Sequence, residues 1–231
     1  MVLGQKAHAV NFDSTGAFVF VPCLGSDSIA QLVFDAQNGV LEWNPVSPAA
    51  LLPAASGPRH MVFLSTHKLL AFVLCELSSI IVPFALNASG VLVQVGSPVS
   101  TIRAGLPKPL VQAAAEILAS ADGLFLYASN RASPFGTGDN SIAVLQLTQQ
   151  GVLTGNVTQH ETGENEGVLM FPRHIALSSS VKQPFLFAVS QNSSMITVFA
   201  RNPAAGTLSQ VSAVRAEMAH PTFIGELLLA T

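Results

Sequence analysis

Four stretches of the chain repeat the same order of apolar runs and polar turns. In each one, a short apolar run begins near a polar residue and leads through a turn into a second and then a third run. Each stretch then reaches a Gly-x-Leu turn. These turns begin at Gly39, Gly90, Gly151 and Gly206, so the unit recurs roughly every 50 to 60 residues. A period of this length suits four short antiparallel strands and predicts the blades of a β-propeller.

The composition of the runs supports the same interpretation. They are rich in Val, Ile, Leu and Phe without clean polar alternation, as expected for sheets that neighbouring sheets cover on both faces. Turn formers such as Asp13-Ser14-Thr15-Gly16 join successive runs. We therefore predict one all-β domain over residues 1–231. It is a propeller of about four blades, with repeats near 7–55, 56–112, 113–170 and 171–218, and a closing strand within 219–231.

Superposing the four units places polar residues at matching strand ends. The residues after the second strand are Leu24, Glu76, Arg131 and Gln191. The residues near the start of the first strand are His8, Arg59, Ala115 and Arg173, followed in three units by His60, Glu116 and His174. Because equivalent positions of successive blades surround the central axis of a propeller, we expect these side chains to converge.

The chemical variety within these columns favours a binding site. Polar residues at strand ends commonly satisfy hydrogen bonds or face water, but a purely structural role would favour the same residue type in every blade. Arg59, Arg131 and Arg173 around one axis would bind phosphate or carboxylate, because a guanidinium group holds either anion through paired hydrogen bonds. We therefore predict a small anionic ligand.

Composition excludes several other classes of protein. Charged residues make up 10% of the chain and the net charge is −3, so a basic surface for nucleic acid is absent. The most apolar region, 61–86, is interrupted by His67, Lys68 and Glu76, which argues against a membrane-spanning helix. The N-terminal residues do not resemble a signal peptide, so we expect a cytoplasmic location with Cys23 and Cys75 as free thiols.

No metal or cofactor is predicted. The chain lacks a Gly-x-Ser-x-Gly elbow, a glycine-rich phosphate loop and a His-x-x-x-His pair. Its six histidines are scattered along the sequence. We therefore expect the side chains alone to carry the chemistry.

Longer motifs resemble the lactonase family of propellers. They are Gly57-Pro58-Arg59-His60-Met61-Val62-Phe63, Glu76-Leu77-Ser78-Ser79, Ala115-Glu116-Ile117, Ser129-Asn130-Arg131 and Pro172-Arg173-His174-Ile175-Ala176-Leu177. The resemblance runs over nearly the whole chain. The family includes propeller-type 6-phosphogluconolactonases and carboxy-cis,cis-muconate cyclases.

The resemblance implies a seven-bladed propeller with its active site at the mouth of the central channel. It matches the family's catalytic positions to His8, Arg59, Glu76 and Arg131, and we expect substrate contacts from His60, Arg173, His174 and Gln191. In a lactonase, the arginines would hold the phosphorylated sugar and polarise the lactone carbonyl. Glu76 or His8 would activate water and protonate the leaving alkoxide.

Three functions stay open at this point. The first is hydrolysis of 6-phosphogluconolactone in the pentose phosphate pathway, and the second is a muconate cyclase activity in which the arginines hold carboxylates. The third is a non-catalytic propeller or interaction scaffold. The four units fall about three blades short of the family's seven, with the missing blades expected on the N-terminal side. Uncovered sheet faces would favour self-association.

Overall fold

The protein is an arc of four antiparallel β-sheets. The computed structural model describes residues 4–105, 112–132, 138–162 and 168–225, and within these ranges the regular structure consists of strands, with no helix. Each sheet is formed by one continuous stretch of chain, so the four sheets are called blades 1 to 4. This architecture confirms the predicted all-β propeller. Over the same ranges, no helix is long and apolar enough to cross a membrane.

Blades 1 and 2 have five strands each. Blade 1 contains β1 (Asn11–Phe12), β2 (Phe18–Cys23), β3 (Ser28–Asp35), β4 (Val40–Trp43) and β5 (Ala49–Leu51). Blade 2 contains β6 (Pro58–Phe63), β7 (Leu70–Cys75), β8 (Ile80–Leu86), β9 (Leu92–Gln94) and β10 (Val99–Ser100). The two short last strands of each blade pair with different parts of the same third strand. The sequence predicts four strands per unit, and in these two blades two short strands take the place of a single long fourth strand.

Blades 3 and 4 have the predicted four strands. Blade 3 contains β11 (Gln112–Ala119), β12 (Phe125–Ala132), β13 (Ser141–Leu147) and β14 (Leu153–Glu161). Blade 4 contains β15 (Pro172–Leu177), β16 (Phe185–Ser190), β17 (Met195–Arg201) and β18 (Leu208–Arg215). Strands are paired in sequence order in both blades.

The first strands of neighbouring blades lie against one another, β6 against β11 and β11 against β15, which places them on the inner side of the arc. Three apolar clusters fill the spaces between successive blades. Their largest buried members include Phe20 and Phe84 between blades 1 and 2, Phe72 and Leu126 between blades 2 and 3, and Tyr127 and Phe199 between blades 3 and 4. The core of this protein therefore lies between its sheets.

A close contact at the end of each blade explains the Gly-x-Leu period. A Cβ atom placed on Gly90 of blade 2 would lie 2.1 Å from the ring of Phe18, the first residue of β2 in blade 1. One placed on Gly206 of blade 4 would lie 2.2 Å from the ring of Phe125, the first residue of β12 in blade 3. Gly151 of blade 3 approaches Leu70 in the same way. Glycine therefore lets each turn lie directly on the preceding blade.

The C-terminal segment differs from the prediction of a closing strand. Residues 219–225 form no strand, and 226–231 lie outside the described residues. A strand needs an adjacent edge with free backbone groups, whereas this segment lies over blade 4. Its Phe223 ring packs against His174 at 4.3 Å between centroids, and the Ile224 amide donates to His174 Nδ1 at 3.5 Å.

Replacing Gly206 by Ala tests the close contact between blades. Gly206 has a positive φ of 72°, and an added methyl group would collide with Phe125, whose ring is 2% exposed and cannot swing into solvent. We expect the free energy of unfolding in urea to fall by about 2–4 kcal/mol, from backbone strain and overpacking. Gly16→Ala is the control, because Gly16 has a φ of 74° and open space around it. It should lose only about 1 kcal/mol, and an equal loss in both variants would contradict the contact.

Candidate active site

Bulges at the start of the inner strands present the predicted site residues. The pairing of β6 with β7 shifts between Pro58 and His60, and that of β15 with β16 shifts between Pro172 and His174. Arg59 and Arg173 therefore have no residue directly opposite. A bulge of this kind leaves a residue unpaired and re-aims its side chain.

Blade 3 has a larger irregularity at the matching place, between Ala114 and Ile117 of β11. It leaves Ala115 and Glu116 without direct partners, and the Glu116 amide donates instead to Ser129 Oγ at 3.1 Å. This register agrees with the alignment of first strands predicted from the sequence. Three blades therefore direct side chains from equivalent positions toward the inner side of the arc.

Glu76 joins two arginines at the centre of the site. Its Oε2 lies 2.8 Å from Arg59 Nε, and its Oε1 lies 3.1 Å from Arg131 Nη2. The Arg59 contact is an ion pair without hydrogen-bond geometry, because the N–H bond does not point at the oxygen. The two arginine side chains are only 3% and 4% exposed, whereas that of Glu76 is 21% exposed. Glu76 is thus the member of this group that solvent and a ligand can reach.

Backbone carbonyl groups of β11 fix both arginines. Arg59 Nη1 donates to the Ala115 carbonyl, and Arg131 donates to the carbonyls of Ala114 and Ala113 at 3.0 and 3.2 Å. Burial, with the second arginine next in importance, lowers the pKa of Arg59 to about 10, and burial also lowers that of Arg131. Both groups remain charged at neutral pH and hold the Glu76 carboxylate in one place.

A second cluster connects blades 2, 3 and 4 through Glu116. Its Oε1 accepts from His60 Nδ1 at 2.7 Å, and its Oε2 lies 3.3 Å from His174 Nε2. Arg59 Nη1 lies 3.2 Å from His60 Nε2. Because a carboxylate only accepts and a guanidinium only donates, these contacts place the proton of a neutral His60 ring on Nδ1. Burial lowers the pKa of His174.

His8 lies at the edge of this cluster, on blade 1. Its ring is 4.9 Å from the His60 ring between centroids, and the His8 amide donates to the Pro22 carbonyl. His8 is exposed at its surface, yet neighbouring atoms partly shield its ring from water. That burial, followed by the positive charge of Arg59, lowers the pKa of His8 from 6.5 to about 4. His8 is therefore a neutral imidazole at neutral pH, and its ring nitrogens make no hydrogen bond to the described residues.

Arg173 and Gln191 are the two remaining predicted site residues, and both belong to blade 4. The positive charge of Arg173 contributes to lowering the pKa values of His8, Arg59 and Arg131, so it lies within electrostatic reach of all three. Among the described residues, no ion pair or hydrogen bond engages its guanidinium group. The Gln191 side-chain oxygen is buried without a hydrogen-bond partner there. The partly exposed guanidinium group of Arg173 is therefore available to a ligand.

The structure thus brings seven of the eight residues singled out in the sequence into contact or electrostatic reach of one another, whereas Gln191 is connected to them only through its backbone amide, which donates to the Phe171 carbonyl. Sequence reasoning placed Glu116 in the right column but did not select it, although it bridges two of the selected histidines. Its position after Ala115 could have identified it, because Glu116 gives blade 3 a carboxylate at the place where blades 2 and 4 have histidine. Phe171 was also missed, and its ring lies 5.0 Å below the Arg131 guanidinium carbon.

Over the described residues, no group of His, Cys, Asp or Glu is arranged to hold a metal ion.

Replacing Glu76 by Gln tests the charge balance of the site. The change keeps the side-chain shape but leaves the guanidinium groups of Arg59 and Arg131 buried beside each other without the carboxylate that bridges them. We expect the free energy of unfolding at neutral pH to fall by about 2–3 kcal/mol, below the cost for a fully buried pair because Glu76 is partly exposed. The exposed Glu42→Gln variant should change it by less than about 0.5 kcal/mol. A Glu76→Gln protein as stable as the wild type would contradict the account.

The chain matches the family model described as "Lactonase, 7-bladed beta-propeller" over residues 3–224. It is 31% identical over 216 residues to a probable 6-phosphogluconolactonase of Arthroderma benhamiae, which covers 93% of this chain and 52% of that protein. It is 29% identical over 206 residues to a 6-phosphogluconolactonase of Sodalis glossinidius, covering 89% of this chain and 56% of that protein. The chain thus spans about half the length of the curated relatives it matches.

Solved structures show the same fold. A periplasmic gluconolactonase of Pseudomonas aeruginosa superposes with a TM-score of 0.81 at 25% identity, covering 96% of this chain and 60% of that one. A protein from Lactobacillus plantarum superposes with a TM-score of 0.79 at 28% identity, covering 95% and 60%. The family match extends over nearly all of the sequence and includes every residue of the site, so this chain belongs to the seven-bladed β-propeller lactonase family.

Proposed function

We propose that the site hydrolyses a phosphorylated sugar lactone and that 6-phosphogluconolactone is its substrate. One observation carries the proposal: the neutral imidazole of His8 and the unpaired guanidinium of Arg173 lie near a carboxylate, Glu76, that two buried arginines hold in place. Membership of the lactonase family and the names of the two relatives point to the same reaction.

Arg173 is the group best suited to bind the phosphate. Arg59 and Arg131 are almost fully buried and already paired with Glu76, whereas Arg173 is partly exposed and unpaired among the described residues. A guanidinium group binds phosphate through two parallel hydrogen bonds, which fixes the position and the orientation of the ligand. The buried arginines add positive potential to the same region.

The remaining groups account for opening of the lactone. Glu76 orients a water molecule through its accessible carboxylate, and the unprotonated His8 ring accepts a proton as that water attacks the carbonyl carbon. The positive charges around the site stabilise the developing oxyanion. When the carbon–oxygen bond of the ring breaks, the protonated His8 returns its proton to the departing alkoxide. The product is the open-chain acid, and both side chains return to their starting state.

This function also implies a location and a class of partner. A phosphorylated sugar is charged and does not cross membranes freely, so the proposed substrate places the protein in the cytoplasm, in the pentose phosphate pathway. The partner is a small anionic lactone rather than nucleic acid. The periplasmic location of the Pseudomonas aeruginosa neighbour makes direct localisation of the expressed protein the appropriate check.

Hydrolysis of 6-phosphogluconolactone is the direct test of activity. We expect the purified chain to accelerate the reaction above its spontaneous rate and to hydrolyse unphosphorylated gluconolactone less well. Arg173→Ala should lower kcat/KM for the phosphorylated lactone by about 10- to 100-fold, as expected for loss of a charge-assisted hydrogen bond, and should barely affect the unphosphorylated one. The exposed Arg215→Ala is the matched control, since Arg215 lies on the outermost strand of blade 4.

Two results would oppose this assignment. An equal loss for both lactones in Arg173→Ala would show that Arg173 does not bind the phosphate. A folded, monodisperse wild-type protein with no activity on either lactone would support the non-catalytic scaffold instead. Activity on a carboxymuconate but on neither lactone would support the cyclase.

The pH dependence tests the role of His8. Because its pKa is lowered from 6.5 to about 4, protonation removes the base only in acid. We expect kcat/KM, which reports ionisations of the free enzyme, to be constant from neutral pH down to about one unit above that pKa, and then to fall as the pH drops further. His8→Gln should remove most of the activity at every pH. A fall in the wild-type activity centred near 6.5 would contradict a withdrawn, neutral His8.

A further inference from the structure

Blades 2 and 4 begin their inner strands with the same Pro-Arg-His motif, and in both the residue before the motif has a left-handed backbone. Gly57 precedes the motif of blade 2 with a φ of 63°, and Phe171 precedes that of blade 4 with a φ of 61°. Glycine adopts this conformation without strain because it has no Cβ atom. A bulky residue rarely does, and outliers of this kind concentrate at functional sites. The strain at Phe171 therefore indicates a function for its side chain.

The two residues make the same backbone contacts. The amide of Gly57 donates to Asp27 Oδ1 at 2.8 Å, and that of Phe171 donates to Asn140 Oδ1 at 2.9 Å. Each carbonyl accepts from the amide that follows the second strand of its own blade, at 2.7 and 3.1 Å. The left-handed conformation thus belongs to this position in the blade, and in blade 4 phenylalanine occupies a place that suits glycine.

The ring of Phe171 lies against a guanidinium group of the site. Its centroid is 5.0 Å from the guanidinium carbon of Arg131, in the preceding blade. The face of an aromatic ring attracts a cation, most strongly where water is excluded, and the Arg131 side chain is only 4% exposed. Two carbonyl groups of β11 and the Glu76 carboxylate already engage the edges of this guanidinium group. A ring over its face restrains the movement out of the plane that those contacts permit.

One side chain anchors both members of this contact. Asn140 Oδ1 accepts from the amide of Phe171 at 2.9 Å and from the amide of Ala132, the residue after Arg131, at 3.0 Å. The backbone on each side of the contact is therefore tied to the same atom. This anchor fixes the separation of the two segments that carry the ring and the guanidinium group.

The aromatic ring occurs where the preceding blade presents a cation. Arg131 lies at the end of the second strand of blade 3, and Leu24 holds the matching place in blade 1. The next blade begins with Phe171 in the first case and with Gly57 in the second. An uncharged leucine gains nothing from a cation–π contact, and there the strain-free residue is present. The strain at Phe171 thus accompanies the charge on Arg131.

We propose that Phe171 is a positioning residue of the active site, whose ring holds the Arg131 guanidinium group against Glu76. The ring keeps Arg131 in the orientation in which its Nη2 lies 3.1 Å from Glu76 Oε1. Glu76 in turn orients the attacking water in the proposed reaction. This catalytic consequence rests on the proposed function, whereas the contact between the ring and the guanidinium group is independent of it.

Steady-state kinetics with 6-phosphogluconolactone test the role of the ring. Phe171→Leu keeps an apolar side chain but removes the aromatic face, and we expect kcat to fall by about 3- to 30-fold, the range for loss of one cation–π interaction. KM should change by less than about twofold, because Glu76 acts on the attacking water and not on substrate binding. Phe171→Tyr keeps the aromatic face and should retain the wild-type kcat.

The matched control is Phe185→Leu, which makes the same substitution elsewhere on blade 4. Phe185 begins β16, at the end of the blade opposite to the site, so both kinetic constants should stay at their wild-type values. Circular dichroism checks that every variant is folded.

Nuclear magnetic resonance of the arginine side chains tests the contact without reference to activity. A proton above the face of an aromatic ring is shielded, so the Nε–Hε signal of Arg131 should move downfield in Phe171→Leu and keep its position in Phe171→Tyr. Its loss in Arg131→Lys identifies the signal. An Arg131 signal that Phe171→Leu leaves in place would overturn the proposal.

Phe171→Gly and Phe171→Ala test the strained backbone. Both substitutions remove the ring, but only glycine adopts a φ of 61° without strain. We expect the glycine variant to unfold at a higher urea concentration than the alanine variant. Equal midpoints would show that the backbone at Phe171 is not strained.

The kinetic outcomes separate positioning from other roles. A Phe171→Leu protein with the wild-type kcat overturns the proposal, as does equal impairment of the leucine and tyrosine variants, which would show that only the shape of the side chain matters. A rise in KM alone also overturns it, because the ring would then contact the substrate. If the wild-type protein hydrolyses neither lactone, the proposed function fails, and the Arg131 signal by itself supports or overturns the contact.

Discussion

Each sheet of this protein is buried by its neighbours, and the approach of glycine to a large apolar side chain sets how closely neighbours pack. The turn at Gly90 lies on Phe18 and the turn at Gly206 lies on Phe125, so no side chain separates the backbone from the ring. Polar contacts strengthen the same boundary, since Tyr127 donates to the Gly206 carbonyl and itself accepts from Arg201. The position of the inner strands, and hence the site, depends on this packing.

The candidate site lies at the end of the blades opposite to these glycine turns, and bulges in the inner strands form it. Bulges turn Arg59, Arg173 and Glu116 toward the inner side of the arc, where residues from four sheets meet. The positive charges there are costly to bury together, and Glu76 offsets that cost by bridging two of them. Partial burial, followed by the positive charges of Arg59 and Arg173, lowers the pKa of His8. One arrangement therefore stabilises the fold, retains an accessible carboxylate and keeps an imidazole unprotonated.

The repeat in the sequence was sufficient to predict the blades, and it also predicts which residues of the candidate site lie at equivalent positions. A unit aligned on its turns brings Arg59 and Arg173 to equivalent positions without knowledge of the structure, and the bulges agree with that alignment. The contacts between side chains within the site could not be predicted from the repeat. Whether Arg131 faces a ligand or holds Glu76 depends on side-chain burial, and the bridge from Glu116 to two histidines crosses three blades. The C-terminal segment also differs from the predicted closing strand, because its path is set by contacts with blade 4 rather than by its own strand-like composition.

The central proposal is that residues from all four blades form one site for a phosphorylated sugar lactone and for the open-chain acid that is its product. Titration of the wild-type protein with 6-phosphogluconate, followed through the imidazole resonances in nuclear magnetic resonance spectra, tests it most directly. The account predicts that the signals of His8, His60 and His174 change together, with a common affinity, while that of His67 in a turn at the far end of blade 2 does not. Saturating ligand that leaves the first three signals unchanged, or that shifts His67 alone, would contradict the claim.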